Sequence, residues 1–299
     1  MDMQRDSLQR FLFEHTQVRG QLVHLDASWQ AILERHDYPP VVRGLLGEAA
    51  VATVLLAATI KFQGSLILQI QGEGPVTLLV VQVTSARTLR GVAEWHGEVQ
   101  PAPLKDLVRN GRLVITIQPE PSGERYQGIV DLGEGGVAEA LEGYFDRSEQ
   151  LPTRLWLAAD QTTSAGLLLQ RLPWEREPGG APLHTDDETW SRLVHLGSTI
   201  TAAELLELPF RDVVRRLYHE EDVRVFEPEP VSFRCSCSRE RIEETLRGLG
   251  VDEVRGIVQE QGRVEVTCSF CNQRYEFDPV DAEQIFAAVM APDVPSTRH

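Results

Sequence analysis

The chain has 299 residues, 42% of them hydrophobic, which is enough for one large domain or two to three smaller ones with buried cores. Its 29 basic and 45 acidic residues give a net charge of −16, so nucleic acid and anionic membranes are poor default partners. Neither of the two lysines, Lys61 and Lys105, follows a glycine, which excludes a phosphate-binding P-loop. We expect no nucleotide cofactor, although other nucleotide-binding modes stay open.

The N-terminus is polar and acidic and lacks the basic and apolar regions of a signal peptide. The most apolar run, 49–60, is bracketed by Glu48 and Lys61 and is shorter than the ~20 residues that span a bilayer. We therefore predict a buried core helix in a cytoplasmic protein with no membrane partner. Thiols are normally reduced in the cytosol, which weighs against permanent disulfides.

Residues 1–174 predict one mixed domain. Two strand candidates lie in 8–26, and Asp26 or Ser28 is a candidate cap for a helix that runs to about 36. A long buried helix is predicted at 39–60, with proline in its first turn, and another helix at about 137–148. The other predicted strands are 65–71, 76–84, 88–95, 112–118, 125–132, 153–159 and 166–172. Because regular βαβ alternation is absent, the predicted class is α+β, beginning with a mixed α/β sandwich domain.

Residues 175–233 form a predicted helical linker with 13 acidic and 6 basic residues, a net charge of −7. Two capping boxes, Thr185 with Glu188 and Thr201 with Glu204, precede short amphipathic helices, and Pro209 opens a third. Helices this short are marginal alone and need a surface to cover. The segment is therefore either an ordinary connector or a region close to its folding threshold. The apolar residues that stand out on the faces of these helices are Trp190, Leu193, Val194, Phe210, Val213, Val214 and Leu217.

Residues 234–290 form a predicted small module, followed by a flexible tail at 291–299. Ser238 is predicted to cap a helix that ends near Gly248 or Gly250, and Asp252 a second helix that stops at Gly262. Alternating strands flank the last two cysteines, and a final helix starts after residue 278.

The four cysteines follow the pattern C-x-C, 30 residues, C-x-x-C. In an extended segment Cys235 and Cys237 point to one side, while Cys268 and Cys271 lie in a strand–turn–strand knuckle. Four sulfur donors suit one Zn²⁺ ion in a closed site, with no open position for catalytic water. Metal binding would then stabilise much of this small module.

An inert structural zinc site and a redox switch both fit these residues. Arg234, Arg239, Arg241 and Arg274 flank the cysteines; they would offset the charge of a zinc–thiolate centre and favour thiolates if the metal left. A thioredoxin-like enzyme is disfavoured because its C-x-x-C belongs in a βαβ context. A zinc ribbon for nucleic acid is disfavoured by the 8 basic and 12 acidic residues of 234–299. No HExxH or GxSxG motif is present, so we expect a non-enzymatic protein.

Several segments together resemble the heat shock protein 33 family of bacterial redox-regulated chaperones. The most specific are "CSCSRER", "LGVDEV" and "VTCSFCNQRYEFD" around the cysteines, and "YFDRSEQLPTRLWLA" upstream. The resemblance continues through "YPPVVRGLLGEAAVATVLLAATIKFQGSLILQIQGEGPVTLLVV", "GLLLQRLP" and "LYHEEDVRVF", and it covers nearly the whole chain in order.

The resemblance implies a redox-regulated, ATP-independent holdase. In the reduced, inactive form, Cys235, Cys237, Cys268 and Cys271 would bind one zinc ion. Oxidation with unfolding stress would release zinc, form Cys235–Cys237 and Cys268–Cys271 disulfides, and unfold the zinc module and the linker. The protein would then dimerise and hold unfolding clients under oxidative stress. The apolar linker residues from Trp190 to Leu217 named above would bind those clients or mask their binding site; the alternative is that they only pack internally. The alternative is a constitutive binding or scaffold protein with a purely structural zinc site.

Overall fold

The computed structural model describes residues 5–120, 123–173 and 187–290, with side chains described up to residue 287. The chain forms two compact units, Met1–Arg234 and Cys235–His299, which we call the core unit and the C-terminal unit. Its combination of sheets and helices confirms the predicted α+β class. The predicted cap Thr185 and the predicted tail lie outside the described residues.

The core unit begins with the two strands predicted within 8–26, and they pair antiparallel to each other. A π-helical turn at Phe145–Glu149 extends the helix predicted at 137–148. The elements in chain order are β1 (Ser7–Phe13), β2 (Val18–Leu25), α1 (Ala27–Leu33), α2 (Pro40–Thr59), β3 (Gly64–Gln71), β4 (Val76–Thr84), β5 (Thr88–Trp95), α3 (Leu104–Val108), β6 (Arg112–Pro119), β7 (Tyr126–Asp131), α4 (Val137–Tyr144), β8 (Thr153–Ala159), β9 (Ser164–Arg171), α5 (Asp187–Gly197), α6 (Ala202–Glu207), α7 (Phe210–Tyr218), β10 (Val223–Val225), β11 (Glu229–Pro230) and β12 (Ser232–Phe233).

Two sheets give the core unit its layers. The first sheet has the order β10-β1-β2-β9-β8, with β11 also paired to β1. The second sheet has the order β12-β5-β4-β3-β6-β7, in which β12 runs parallel to β5. The chain segment after α7 therefore adds short strands to both sheets.

Helix α2 packs against strands of both sheets and lies in the main hydrophobic cluster. It is long and apolar enough to cross a membrane by composition, yet 72% of its apolar window is buried inside the protein. Its buried Thr53 hydroxyl donates to the Ala49 carbonyl at 2.6 Å, so the polar group has a partner within the helix. The prediction of a buried core helix at this position is confirmed.

Helix α1 is capped differently from the prediction. Asp26 is the N-cap residue, but its side chain makes no capping hydrogen bond. The carboxylate of Asp6 instead accepts from the amides of Ala27 and Ser28 at 2.9 and 2.8 Å. The orphan amides of the first turn are thus satisfied from a residue far upstream in sequence.

The C-terminal unit contains α8 (Arg239–Leu249), α9 (Val251–Gln261), β13 (Val264–Thr267), β14 (Arg274–Phe277) and α10 (Pro279–Met290). Ser238 caps α8 as predicted, by accepting from the Arg241 amide. Gly250, not Asp252, is the N-cap of α9, so this capping prediction was wrong. A small cluster around the buried Phe277 and Val254 joins the helices to the β13–β14 hairpin.

Candidate metal centre and the covered sheet face

The four cysteines are presented by two segments of the C-terminal unit. Cys235 and Cys237 lie in an extended stretch just before α8, and Cys268 and Cys271 lie in the turn between β13 and β14. The Cys268 amide donates to the Gln273 carbonyl at 2.9 Å, and the Asn272 amide donates to the Cys268 carbonyl at 2.8 Å. Asn272 has a φ of 57°, a left-handed conformation that asparagine tolerates in tight turns.

The four sulfur atoms converge on one point. Their Sγ atoms all lie within 4.8 Å of one another, with 3.7 Å between Cys235 and Cys268 and 3.3 Å between Cys237 and Cys271. None of the four cysteines forms a disulfide bond. A tetrahedral ion with Zn–S bonds of ~2.3 Å places its sulfurs about 3.8 Å apart, so this arrangement fits one Zn²⁺ ion. We call this cluster of four cysteines the four-sulfur site. That it binds zinc stays a prediction.

Electrostatics at the four-sulfur site favour a bound cation. Burial raises the pKa of the Cys268 thiol and the nearby Cys235 sulfur raises it further, although the amides of Phe270 and Cys271 donate to Cys268 and lower it. Burial also raises the pKa of Cys271. Donation to the Cys237 sulfur raises the pKa of the Tyr275 phenol to about 12. Thiols this close resist joint ionisation, and a divalent cation would reverse that balance.

The neighbouring arginines are engaged mainly with other groups. Arg239 pairs with Asp281 at 2.7 Å and stacks 4.2 Å from the Phe277 ring centroid. Arg274 pairs with carboxylates on its own hairpin. Arg241 reaches the C-x-C segment, because it donates to the carbonyl and hydroxyl of Ser236 at 3.0 and 2.8 Å. Their main role in the structure is thus to fasten the C-terminal unit together.

A second feature is an apolar face of the first sheet that lies beneath α5, α6 and α7, the linker helices. Its buried residues come from all four long strands, and together with the apolar faces of the helices they form a hydrophobic cluster separate from that around α2. We call this surface the covered face. The strand residues that form it are Phe11, Phe13, Val18, Leu22, Ala158, Ala165, Leu167 and Leu169.

The linker residues singled out from the sequence lie mostly against the covered face. Leu193, Val213, Val214 and Leu217 are buried in its cluster, while Trp190 and Phe210 are half-buried and pack on its edge. Val194 is half-buried on α5 and does not join the cluster. Their part in client binding stays a prediction.

Three further residues help to hold the linker helices in place, and sequence reasoning missed the part that two of them, His24 and Glu48, play. Tyr218 is buried, and its ring meets Phe13. His24 on β2 donates through Nε2 to the Leu206 carbonyl of α6 at 2.8 Å. Glu48 on α2 lines a cavity of about 410 Å³, whose other lining residues include Ile200, just before α6, and Leu205 of α6. Burial, reinforced by Glu139, raises the pKa of Glu48 to about 7. Tyr218 continues the helical spacing of the apolar residues on α7. His24 and Glu48 belong to no local motif, so spacing gave no signal for their roles.

Comparison with known proteins identifies the class to which this fold and the four-sulfur site belong. The chain is 54% identical over 295 residues to the 33 kDa chaperonin of Nitrosococcus oceani, covering 99% of each chain. It is 48% identical over 297 residues to the 33 kDa chaperonin of Azotobacter vinelandii, covering 98% of this chain and 99% of that one. The crystal structure of the 33 kDa chaperonin from Thermotoga maritima has the same fold, with a TM-score of 0.78 at 23% identity over 95% of this chain and 99% of that one. The fold is thus that of a chaperone.

The family model described as "Hsp33 protein" matches residues 6–278. The chain therefore belongs to the Hsp33 family of chaperones, which confirms the resemblance read from its sequence.

Proposed function

We propose that this protein is a redox-activated, ATP-independent holdase of the cytoplasm, latent when reduced and active when oxidised. The observation that carries the proposal is the covered face, because an apolar sheet surface lies beneath three short, strongly charged helices. Such helices depend on docking for their stability, and their release would expose a large apolar surface suited to unfolding proteins. Membership of a chaperone family supports this proposal.

In the reduced state, Cys235, Cys237, Cys268 and Cys271 would hold one Zn²⁺ ion. A bound zinc ion would supply charge compensation and a cross-link for a unit with a small core. A disulfide sulfur has no anionic charge to offer a metal, so oxidation would remove that cross-link. The family resemblance pairs Cys235 with Cys237 and Cys268 with Cys271.

Chain connectivity supports a coupling between the four-sulfur site and the linker helices. Cys235 directly follows Arg234, whose amide donates to the Leu89 carbonyl of β5 at 3.0 Å. Just before it, β10, β11 and β12 attach the segment after α7 to both sheets. Unfolding that starts at Cys235 would reach these short strands first and then α7. The active form would be a homodimer that holds unfolding clients, with neither nucleic acid nor membrane as a partner.

Peroxide at mildly elevated temperature tests the proposal. Freshly reduced, zinc-loaded protein should release zinc, lose four titratable thiols and begin to suppress aggregation of a heat-unfolding client, measured by light scattering. Retained zinc, or zinc loss without any gain in client protection, would instead support a constitutive scaffold with a structural zinc site. Size-exclusion chromatography of the same samples tests the dimer.

Peptide mapping of the oxidised protein tests the disulfide pairing. The nearest sulfurs join the two motifs, Cys235 with Cys268 and Cys237 with Cys271, whereas the proposed disulfides lie within each motif. Mass spectrometry of unreduced digests distinguishes these pairings. Cross-motif bonds would contradict the proposed pairing. They would also keep the two segments of the C-terminal unit linked after oxidation.

A further inference from the structure

Tyr275 connects the β13–β14 hairpin to a sulfur that the hairpin does not itself carry. Its phenol oxygen lies 3.2 Å from Cys237 Sγ and donates a hydrogen bond to it. The residue pairs with Val266 in the hairpin register, and its half-buried ring packs on the cluster of the C-terminal unit. The hairpin therefore carries two cysteines of the four-sulfur site and fixes a donor to a third.

The hydrogen bond at Cys237 differs in kind from those at the two hairpin sulfurs, Cys268 and Cys271. Cys268 accepts from the backbone amides of Phe270 and Cys271, and Cys271 accepts from the amide of Gln273. Those donors belong to the turn itself. The donor at Cys237 belongs to a side chain, so its strength can change without altering the turn.

We propose that Tyr275 is a positioning residue that holds the Cys237 sulfur and slows its attack on hydroperoxides. This inference rests on the proposed function, since it deals with how readily the four-sulfur site is oxidised. A sulfur lone pair engaged by an O–H donor is less available to form a new bond, as a hydrogen bond to an anion stabilises the anion.

The step concerned is the first oxidation of Cys237. A lone pair of the thiolate attacks one peroxide oxygen, the S–O bond forms, the O–O bond breaks and hydroxide leaves. The sulfur loses two electrons, the peroxide gains them, and a sulfenic acid results. A second thiolate then attacks that sulfur, the S–S bond forms and hydroxide leaves again. The Tyr275 hydrogen bond must weaken in the first attack, so it raises the barrier there.

Replacement of one hydroxyl tests the proposal in the zinc-loaded, full-length protein. Tyr275→Phe should raise the initial rate of peroxide modification at Cys237 by between about twofold and tenfold, the range for loss of one hydrogen bond. Site-resolved alkylation and mass spectrometry measure that rate, and a colorimetric chelator follows zinc release. Thr245→Val is the matched control, since it removes a hydroxyl of the same unit that donates to the Arg241 carbonyl. It should leave the rate unchanged.

Site-specific 3-fluorotyrosine at position 275 gives a test that does not depend on how the phenylalanine variant folds. Its more acidic hydroxyl is a stronger donor, so Cys237 should oxidise more slowly than in the wild type. Unchanged Cys237 rates in both variants, or equal acceleration at all four cysteines, would overturn the inference while leaving the proposed function intact. Failure of the wild type itself to oxidise and release zinc would overturn both.

Discussion

The ring of Tyr218 stands edge-on to the ring of Phe13, with 4.9 Å between centroids and 85° between planes. One residue ends the last linker helix, and the other ends the first strand of the core unit. An aromatic pair of this geometry contributes about 0.5–1.5 kcal/mol beyond the area that it buries. The contact joins the first strand of the fold to a segment some two hundred residues later, at the edge of the covered face.

A charge placed beneath α7 should release the linker helices without oxidation. Val213 and Leu217 are 1% and 2% exposed, so Val213→Asp or Leu217→Asp would bury an unpaired carboxylate and weaken docking by roughly 3 kcal/mol or more. The reduced variants should suppress client aggregation in light-scattering assays. Arg211→Asp is the matched control, because it introduces the same residue on the exposed side of α7. Latent reduced variants would show that the covered face does not bind clients.

A methyl group at Gly197 should also weaken the docking of α5. A Cβ atom there would lie 2.7 Å from the Trp156 ring and 2.8 Å from the Tyr218 hydroxyl. We expect Gly197→Ala to reduce the stability of the linker helices by about 1–3 kcal/mol through overpacking. Hydrogen exchange of residues 187–218 measures this change. Gly44→Ala adds the same methyl group on α2 with nothing within 4 Å, and protection should stay equal or rise slightly.

The stability of linker docking should depend on pH through Glu48. Burial raises its pKa from the 4.5 of a free carboxyl to about 7, and Ile200 and Leu205 of the linker line the same cavity, so the protonated carboxyl favours the folded, docked state. Its contribution to stability is fully present below pH 4.5 and is lost as the pH rises through about 7. Glu48 has no hydrogen-bond or ion-pair partner among the described residues that would hold its charge.

Glu48→Gln should remove that pH dependence. Hydrogen exchange of α6 should be less protected at pH 8 than at pH 6 in the wild type and nearly equal at the two pH values in the variant. The exposed Glu207 on the same helix supplies the control Glu207→Gln, which should keep the wild-type profile. An identical profile in all three proteins would rule out Glu48 as the titrating group.

Loss of metal should unfold the C-terminal unit and spare the main hydrophobic cluster around α2. Cys268 is the most buried of the four cysteines, and the cluster of its unit has six buried apolar residues among those described. Structural zinc sites contribute on the order of 10 kcal/mol to folding, so Cys268→Ser or a strong chelator should abolish protection across α8–α10. Zinc analysis and hydrogen exchange check this, with Ser269→Ala as the neighbouring control. Full protection without metal would show that the unit folds alone.

Most long elements of the fold could be predicted because their burial follows a local period. Strand β3 alternates from Leu66 to Gln71, and α2 is a single apolar run, so each was visible within one window of sequence. Helix α3 has five residues, too few for a helical period, and was missed. The strands β10, β11 and β12 were also missed, since the whole segment 175–233 was predicted to be a helical linker. They have only two or three residues and exist because they pair with β1 and β5.

The cysteine pattern predicted the convergence of four sulfurs because each pair is arranged by a local turn or strand. Tyr275 could not be assigned to Cys237 in the same way, since the contact depends on how the hairpin packs beside the C-x-C segment. The hydrogen bond between His24 and Leu206 spans 182 residues, and no local pattern encodes it. Non-local contacts of this kind are decided by packing, which spacing in sequence does not report.

The chain joins the linker helices at both ends to strands of the first sheet, to β9, which ends at Arg171, and to β10, which begins at Val223. For the covered face they act as a ligand that cannot diffuse away, present at a local concentration that is typically millimolar for a short tether. A client at micromolar concentration that bound the covered face with the same affinity would occupy it orders of magnitude less often than the tethered helices do. Capture therefore requires that the linker helices themselves lose their structure, because a melted helix no longer presents the apolar stripe that makes it a competitor.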